Sequence, residues 1–223
     1  MGRRFYHFIQ PVVRLFIPKL AVRWTEPWAG EPTIFVCNHE RALGPLEMAT
    51  RFPLREDSPI WIFADPLSRE TTPAYVRQDH WWREDSRLAP LWNAVLPPLV
   101  SWILPPILRS PPHVAVYHDG RAATTMKESL RLLQAGKNLV IFPEIPTGFG
   151  EHETEKINEG WLMLLPMYAR RTGKSLPIRP VHLDLKRQKT MEIRSPFTMD
   201  PDRPLQDQIP ELSRKVLQGI FDE

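Results

Sequence analysis

The stretch RAATTMKESLRLLQAGKNLVIFPE, residues 121–144, holds the pattern that decides the fold. Apolar residues recur every three or four positions in its first half, which predicts a helix over residues 121–135 that stops at Gly136. The short apolar run at residues 138–142 then predicts a buried strand. A helix that leads directly into a buried strand is the repeating unit of α/β proteins.

The rest of the chain continues this alternation of strand and helix. Further strands are predicted from short apolar, β-branched runs at residues 33–37, 59–64, 113–117, 176–185 and, as an edge strand, 190–194. Further helices are predicted at residues 157–171 and 209–221. We therefore expect a single α/β domain over residues 25–223, with a largely parallel central sheet flanked by helices.

The N-terminal segment, residues 1–24, is basic and aromatic, and no acidic residue occurs before Glu26. A helix over residues 3–17 would gather arginines on one face and phenylalanines on the opposite face. This composition is typical of an amphipathic helix that lies at a membrane surface, and it favours anionic lipid. The alternative is that the apolar face packs on the core of the protein itself.

Composition and motif content exclude several functional classes. The single Cys37 excludes an internal disulfide and is compatible with a reducing compartment. No recognition-helix or zinc-finger motif is present, so we expect no nucleic-acid partner. No compact spacing of metal ligands occurs, and no Gly-x-Ser-x-Gly elbow indicates a serine hydrolase.

Residues 91–108 form an uncharged, apolar stretch that contains two Pro-Pro pairs. Its length is close to the minimum for a membrane-spanning helix. Prolines resist the interior of a helix, so we expect broken helices that cover the core or dip into a membrane interface.

The strongest chemical signal is the pair Asn38-His39, which directly follows the predicted strand 33–37. In α/β folds, functional sites lie at the carboxyl ends of the parallel strands. An imidazole with an ordinary pKa of about 6.5 accepts a proton at neutral pH, so His39 is a candidate base. The alternative is a histidine with a structural role only.

Four short blocks, in order over residues 33–185, resemble those of the phospholipid/glycerol acyltransferase family, which includes the lysophosphatidate acyltransferases. The blocks are Asn38-His39, residues 116–121, Phe142-Pro143-Glu144 and residues 177–181. The resemblance implies transfer of a fatty acyl group from acyl-CoA or acyl carrier protein to a hydroxyl of a lysophospholipid. It further implies a peripheral protein of phospholipid biosynthesis on the cytoplasmic side of a membrane, with no cofactor besides the acyl thioester co-substrate.

The same resemblance implies roles for individual residues. His39 would be the catalytic base, and Arg121 would bind the phosphate of the acceptor, with Arg41 as second candidate. Phe142, Pro143 and Glu144 would contribute to substrate binding. The tryptophans at 81–82 and in residues 91–102 are candidates for lining an acyl groove or, equally, for core and interface packing.

Two positions depart from the family pattern. Gly44 stands where the family has the aspartate that orients the histidine, and Ile145 stands where it has a glycine. Gly44-Pro45 is typical of a helix start, which makes Glu47 the third helical residue, able to reach back over the cap. We therefore expect Glu47 to replace the aspartate, with Glu40 as a second candidate; alternatively, Glu47 only caps its own helix.

These departures also keep a second function open. The chain could be a catalytically silent homologue that binds lipid or a protein partner at the membrane.

Overall fold

The structure is a computed structural model that describes Pro11 and residues 19–39, 44–78, 87–148 and 151–221. The strands are β1 (Ala21–Trp24), β2 (Ile34–Cys37), β3 (Ile60–Phe63), β4 (His113–Val116), β5 (Leu139–Ile141), β6 (Glu144–Gly148), β7 (Glu151–Ile157), β8 (Ile178–Asp184) and β9 (Thr190–Ile193). The helices are α1 (Gly44–Arg51), α2 (Thr72–Gln78), α3 (Ala89–Leu108), α4 (Ala122–Gln134), α5 (Leu164–Thr172) and α6 (Leu205–Ile220). Short 3-10 turns occur at Arg55–Asp57, Asp65–Leu67 and Gly160–Met163.

The central sheet has seven strands in the order β1-β9-β8-β2-β5-β3-β4. All neighbouring strands run parallel except β8 and β9, which pair antiparallel. The predicted α/β fold with a largely parallel sheet is therefore confirmed. Strands β6 and β7 form a separate antiparallel hairpin.

The helices divide between the two faces of the sheet. The chain crosses the sheet in one direction from β2 to β3 to β4, and in the other direction from β4 to β5 to β8. Right-handed crossovers therefore place α1, α2 and α3 on one face and α4 and α5 on the other. The buried apolar side chains form two clusters, one around Leu133, Trp161 and Val216 and one around Phe35 and Met48. Strand β2 is buried along its whole length.

The N-terminal boundary of the domain differs from the prediction. The amphipathic helix expected over residues 3–17 lies outside the described residues, apart from Pro11. Ala21–Trp24, assigned by sequence to the N-terminal segment, is strand β1 and pairs with β9. Strand β9 was predicted to be an edge strand, but it lies inside the sheet, between β1 and β8. The alternating exposure of β1 explains the miss, because four half-exposed residues give little signal.

The stretch at residues 91–108 is also different from the prediction. It forms one continuous helix, α3, with Pro97, Pro98, Pro105 and Pro106 inside it. The fixed φ of proline, about −65°, is itself helical, so each proline removes one hydrogen bond without forcing a break. The hydroxyl of Ser101 donates to the carbonyl of Pro98 within the same helix at 2.6 Å.

Two predicted helices have different bounds. Ile157, predicted as the start of a helix, is the last residue of β7, and α5 begins only at Leu164 after the turn Gly160–Met163. Helix α6 begins at Leu205 instead of residue 209. Both differences leave the order of elements unchanged.

Candidate functional site

The candidate site lies at the edge of the sheet where the parallel strands β2, β5, β3 and β4 end. His39 comes shortly after β2, and Glu144 comes shortly after β5. Strands β2 and β5 are neighbours in the sheet. Two side chains that are distant in sequence are therefore brought together at the place where α/β folds carry their chemistry.

His39 and Glu144 form a hydrogen-bonded pair. The ring Nδ1 of His39 lies 3.1 Å from Oε2 of Glu144, and the backbone N–H of His39 donates to the same oxygen. The Glu144 side chain is 3% exposed and that of His39 is 26% exposed. A carboxylate at Nδ1 favours the tautomer with the proton on Nδ1, and in that tautomer Nε2 carries the lone pair that can accept a proton.

The ring of His39 is also held from the side. The ring of Phe142 packs against it, with 4.7 Å between centroids and 49° between planes. Pro143 is buried, and its carbonyl accepts a hydrogen bond of 2.7 Å from the N–H of Asn158, which ties the end of β5 to the end of the hairpin. Of the three residues expected to bind substrate, Phe142 and Glu144 therefore contact the imidazole, and the buried Pro143 connects them.

Asn38 anchors the strand end that carries His39. Its side-chain amide donates to the carbonyl of Leu183 at 2.9 Å, and its side-chain oxygen accepts from the N–H of Leu183 at 2.7 Å. The Asn38 side chain therefore continues the pairing of β2 with β8 by one step. Sequence reasoning named Asn38 as part of the block but did not predict this contact.

Gly44 lies against the backbone of Asn38 and His39. The N–H of Gly44 donates to the carbonyl of His39 at 2.8 Å. A Cβ at position 44 would lie 2.2 Å from that carbonyl oxygen and 3.0 Å from the carbonyl oxygen of Asn38. Position 44 thus accommodates only glycine in this geometry, and the aspartate of the family pattern has no space here.

Glu47 does not pair with His39, contrary to expectation. It is fully buried on α1, and Nε of Arg51, one turn later, lies 3.4 Å from its carboxylate. Neither carboxylate oxygen has a hydrogen-bond partner among the described residues. Burial raises the pKa of Glu47 to about 7, and the charge of Arg51 lowers it only in part. Glu144 makes the contact with the ring that Glu47 was expected to make, because it follows shortly after β5, the strand that neighbours β2.

Cys37, the last residue of β2, has an unreactive thiol. Burial raises the pKa of its thiol well above the usual range, and the negative charge of Glu144 raises it further. A thiol held in the neutral form is a poor nucleophile. The thiol of Cys37 is therefore not a candidate nucleophile.

Arg121 lies at the same edge of the sheet, at the start of α4. Strand β4 is three positions away from β2, which corresponds to a separation on the order of 14 Å between strand ends. The guanidinium of Arg121 pairs with Asp119, with 2.7 Å between Nη2 and Oδ2. It also stacks on Tyr117, with 4.2 Å between its central carbon and the ring centroid. This pairing lowers the pKa of Asp119 to about 2. Arg121 is well exposed but does not contact the pair of His39 and Glu144.

Other candidate residues lie outside the part of the chain that the structure describes: Glu40, Arg41, Trp81 and Trp82. Ile145, in place of the family's glycine, begins the hairpin beside Glu144 and is 40% exposed. Within the described ranges, no group of three or more His, Cys, Asp or Glu side chains is arranged to hold a metal ion. No protein-family model, curated protein or solved structure matches the chain.

Proposed function

We propose that the protein is an acyltransferase that moves a fatty acyl group from acyl-CoA or acyl carrier protein to a hydroxyl of a lysophospholipid. The observation that carries the proposal is the contact of 3.1 Å between Nδ1 of His39 and Glu144. The resemblance of the four sequence blocks to the phospholipid/glycerol acyltransferases supplies the reaction class. Both support a general-base mechanism at the edge of a parallel sheet.

In this mechanism, Nε2 of His39 removes the proton from the acceptor hydroxyl. The oxygen attacks the carbonyl carbon of the thioester, and the resulting tetrahedral intermediate collapses to the ester. The departing thiolate takes the proton back from His39, so a free thiol leaves and the imidazole is neutral again. The reaction needs no redox step and no covalent intermediate on the protein.

Glu144 has two functions in this scheme. Its carboxylate fixes the ring orientation, and its negative charge stabilises the imidazolium that forms as the hydroxyl loses its proton. In the family pattern, an aspartate on the loop after the histidine does this work. Here the carboxylate comes from the residue that follows shortly after the neighbouring strand β5, and position 44, where the family has its aspartate, has space only for glycine.

The acceptor is proposed to be anionic, with Arg121 as the group that binds its phosphate. The side chain of Arg121 is 64% exposed, and its guanidinium can exchange Asp119 for a phosphate group. The protein would act as a peripheral enzyme on the cytoplasmic side of a membrane, where its lysophospholipid acceptor resides. Phe142, which packs on the imidazole, and the exposed Ile145, which follows Glu144 in the chain, offer apolar surface for the acyl chain.

The test is an acyl-transfer assay with the purified full chain, radiolabelled acyl-CoA and a panel of lysophospholipids. His39→Ala removes the base and should abolish transfer, while Glu144→Gln keeps the shape of the side chain and should lower kcat by roughly 100- to 10,000-fold. Glu47→Gln is the matched control, because it neutralises a nearby carboxylate that does not touch the ring, and it should retain activity within a few fold.

The outcomes separate the two candidate functions. Transfer that survives His39→Ala would overturn the mechanism. A wild-type protein that acylates no acceptor, with either donor, would favour the catalytically silent homologue. Equal losses in the Glu144 and Glu47 variants would mean that the paired carboxylate has no special function.

A further inference from the structure

The distribution of side chains on helix α3 is the reverse of that on a surface helix of a water-soluble protein. The residues that it buries are small or cyclic: Ala89, Pro97, Ser101 and Pro105. The residues that it exposes are bulky and apolar: Leu91, Val95, Leu99, Trp102 and Ile103. In water, the bulky apolar side chains of a surface helix normally face the core. The exposed face of α3 therefore fits an apolar environment outside the protein.

The exposed side chains form a continuous stripe. Leu91, Val95, Leu99 and Ile103 are spaced four residues apart, so they follow each other along one side of the helix. Leu91 is 53% exposed, Leu99 is 52% exposed and Trp102 is 64% exposed. The other side of α3 packs against α2 and the turn Asp65–Leu67, which fixes the stripe on the outside.

The charges around the stripe match an anionic lipid surface. No charged residue occurs from Leu88 to Leu108, and arginines stand directly before and after this range, at Arg87 and Arg109. A third arginine, Arg69, lies with its guanidinium 4.2 Å from the ring centroid of Trp102. Tryptophan with a neighbouring cation is typical of the boundary between lipid headgroups and acyl chains.

Length and composition alone would also allow α3 to cross a membrane, because it is the one helix of the described residues that meets both criteria. Its contacts with α2 argue for a different orientation. A helix whose one side is attached to the protein can offer only its other side to lipid. A helix of 20 residues lying flat would place a strip of about 30 Å in the interface.

We propose that α3 is a membrane-docking surface, which lies in the plane of an anionic bilayer with the stripe from Leu91 to Ile103 among the acyl chains. This inference extends the proposed function to the membrane. Only the identity of the reacting lipid, a lysophospholipid, rests on the proposed function. Docking through α3 places the membrane on the same face of the sheet as α1, whose first residue, Gly44, is hydrogen-bonded to the backbone of His39. The bilayer itself would thus be the source of the acceptor.

The test uses the full chain with a fluorophore at one site. Cys37 is fully buried, so a cysteine introduced by Leu99→Cys can be labelled selectively with an environment-sensitive dye. Met163→Cys is the matched control, because Met163 is 49% exposed and precedes α5 on the opposite face of the sheet. Vesicles of phosphatidylcholine, with and without phosphatidylglycerol, are the probe.

The dye at position 99 should shift to shorter wavelength with vesicles containing phosphatidylglycerol, less so with phosphatidylcholine alone, and the dye at position 163 should not shift. Replacing Leu91 and Leu99 together by glutamine should lower the vesicle-bound fraction at least about tenfold, whereas Met163→Gln should not. No shift at position 99, or equal shifts at both positions, would overturn the proposal. A shift that depends on protein concentration without vesicles would assign the stripe to a second copy of the chain.

The experiment separates this inference from the proposed enzyme activity. His39→Ala should bind vesicles like the wild type, because the imidazole is not part of the stripe. Vesicle docking without any acyl transfer would leave the inference standing and remove the enzyme function. Acyl transfer to a soluble acceptor without vesicle docking would support the enzyme function and overturn the docking inference.

Discussion

Neutralising Glu47 should stabilise the protein, although this removes the ion pair with Arg51. The carboxylate is fully buried, and burial raises its pKa from the ordinary value of 4.5 to about 7. A raised pKa means that the folded protein prefers the protonated form. Each pKa unit corresponds to about 1.36 kcal/mol, so ionisation of Glu47 costs the folded state at most about 3 kcal/mol.

The sign of the pH dependence follows from the two protonation states. Below pH 4.5, Glu47 is protonated in both the folded and the unfolded chain, and it contributes no penalty. As the pH rises from 4.5 to about 7, the unfolded chain releases the proton while the folded protein keeps it, which favours unfolding. Above about pH 7 both states are ionised and the penalty stays constant.

The assay is urea unfolding of the wild type and Glu47→Gln, followed by circular dichroism. We expect the free energy of unfolding of the variant, relative to the wild type, to rise by about 1–3 kcal/mol between about pH 4.5 and pH 8. Glu128→Gln is the control, because a hydrogen bond to Arg131 lowers the pKa of this exposed carboxyl, so its effect should have the opposite sign. A difference between Glu47→Gln and wild type that does not change with pH would refute the reasoning.

Three further substitutions test the packing around the site by denaturant unfolding. Gly44→Ala should destabilise the protein by about 1–3 kcal/mol, because its Cβ would lie 2.2 Å from the carbonyl oxygen of His39; an unchanged midpoint would show that the loop can move. Asn38→Ala should lower stability by about 1–3 kcal/mol, since it leaves the buried N–H and carbonyl of Leu183 without their side-chain partner. Gly219→Ala should destabilise the protein by a similar amount, about 1–3 kcal/mol, because its Cβ would lie 2.4 Å from the ring of Pro180 in β8. A neutral result would mean that α6 can shift.

The sequence predicted the parallel core of the fold well. Strands β2 and β5 were found because fully buried parallel strands are short, continuous apolar runs with clear ends. Strands β3, β4 and β8 are less completely buried, but apolar residues still make up most of each run. The half-exposed β1 and the hairpin of β6 and β7 were missed, since their residues do not form such runs. The hairpin was obscured further because Ile157, its last residue, was assigned to the next helix.

The candidate site was predicted in part. His39 could be identified because a histidine after a buried strand stands out, but its partner depended on information beyond local sequence. The choice between Glu47 and Glu144 requires the order of the strands in the sheet. Helix geometry alone favoured Glu47, whereas the adjacency of β2 and β5 brings Glu144 to the ring.

The histidine and its carboxylate are 105 residues apart in the chain. Their contact can form only after the crossovers that carry the chain from β2 to β5 have been completed. A proton on Nδ1 that is shielded by the carboxylate would therefore report that β2 and β5 have paired at the centre of the sheet. Its NMR signal would give a probe of this long-range pairing at a single atom, without any added label.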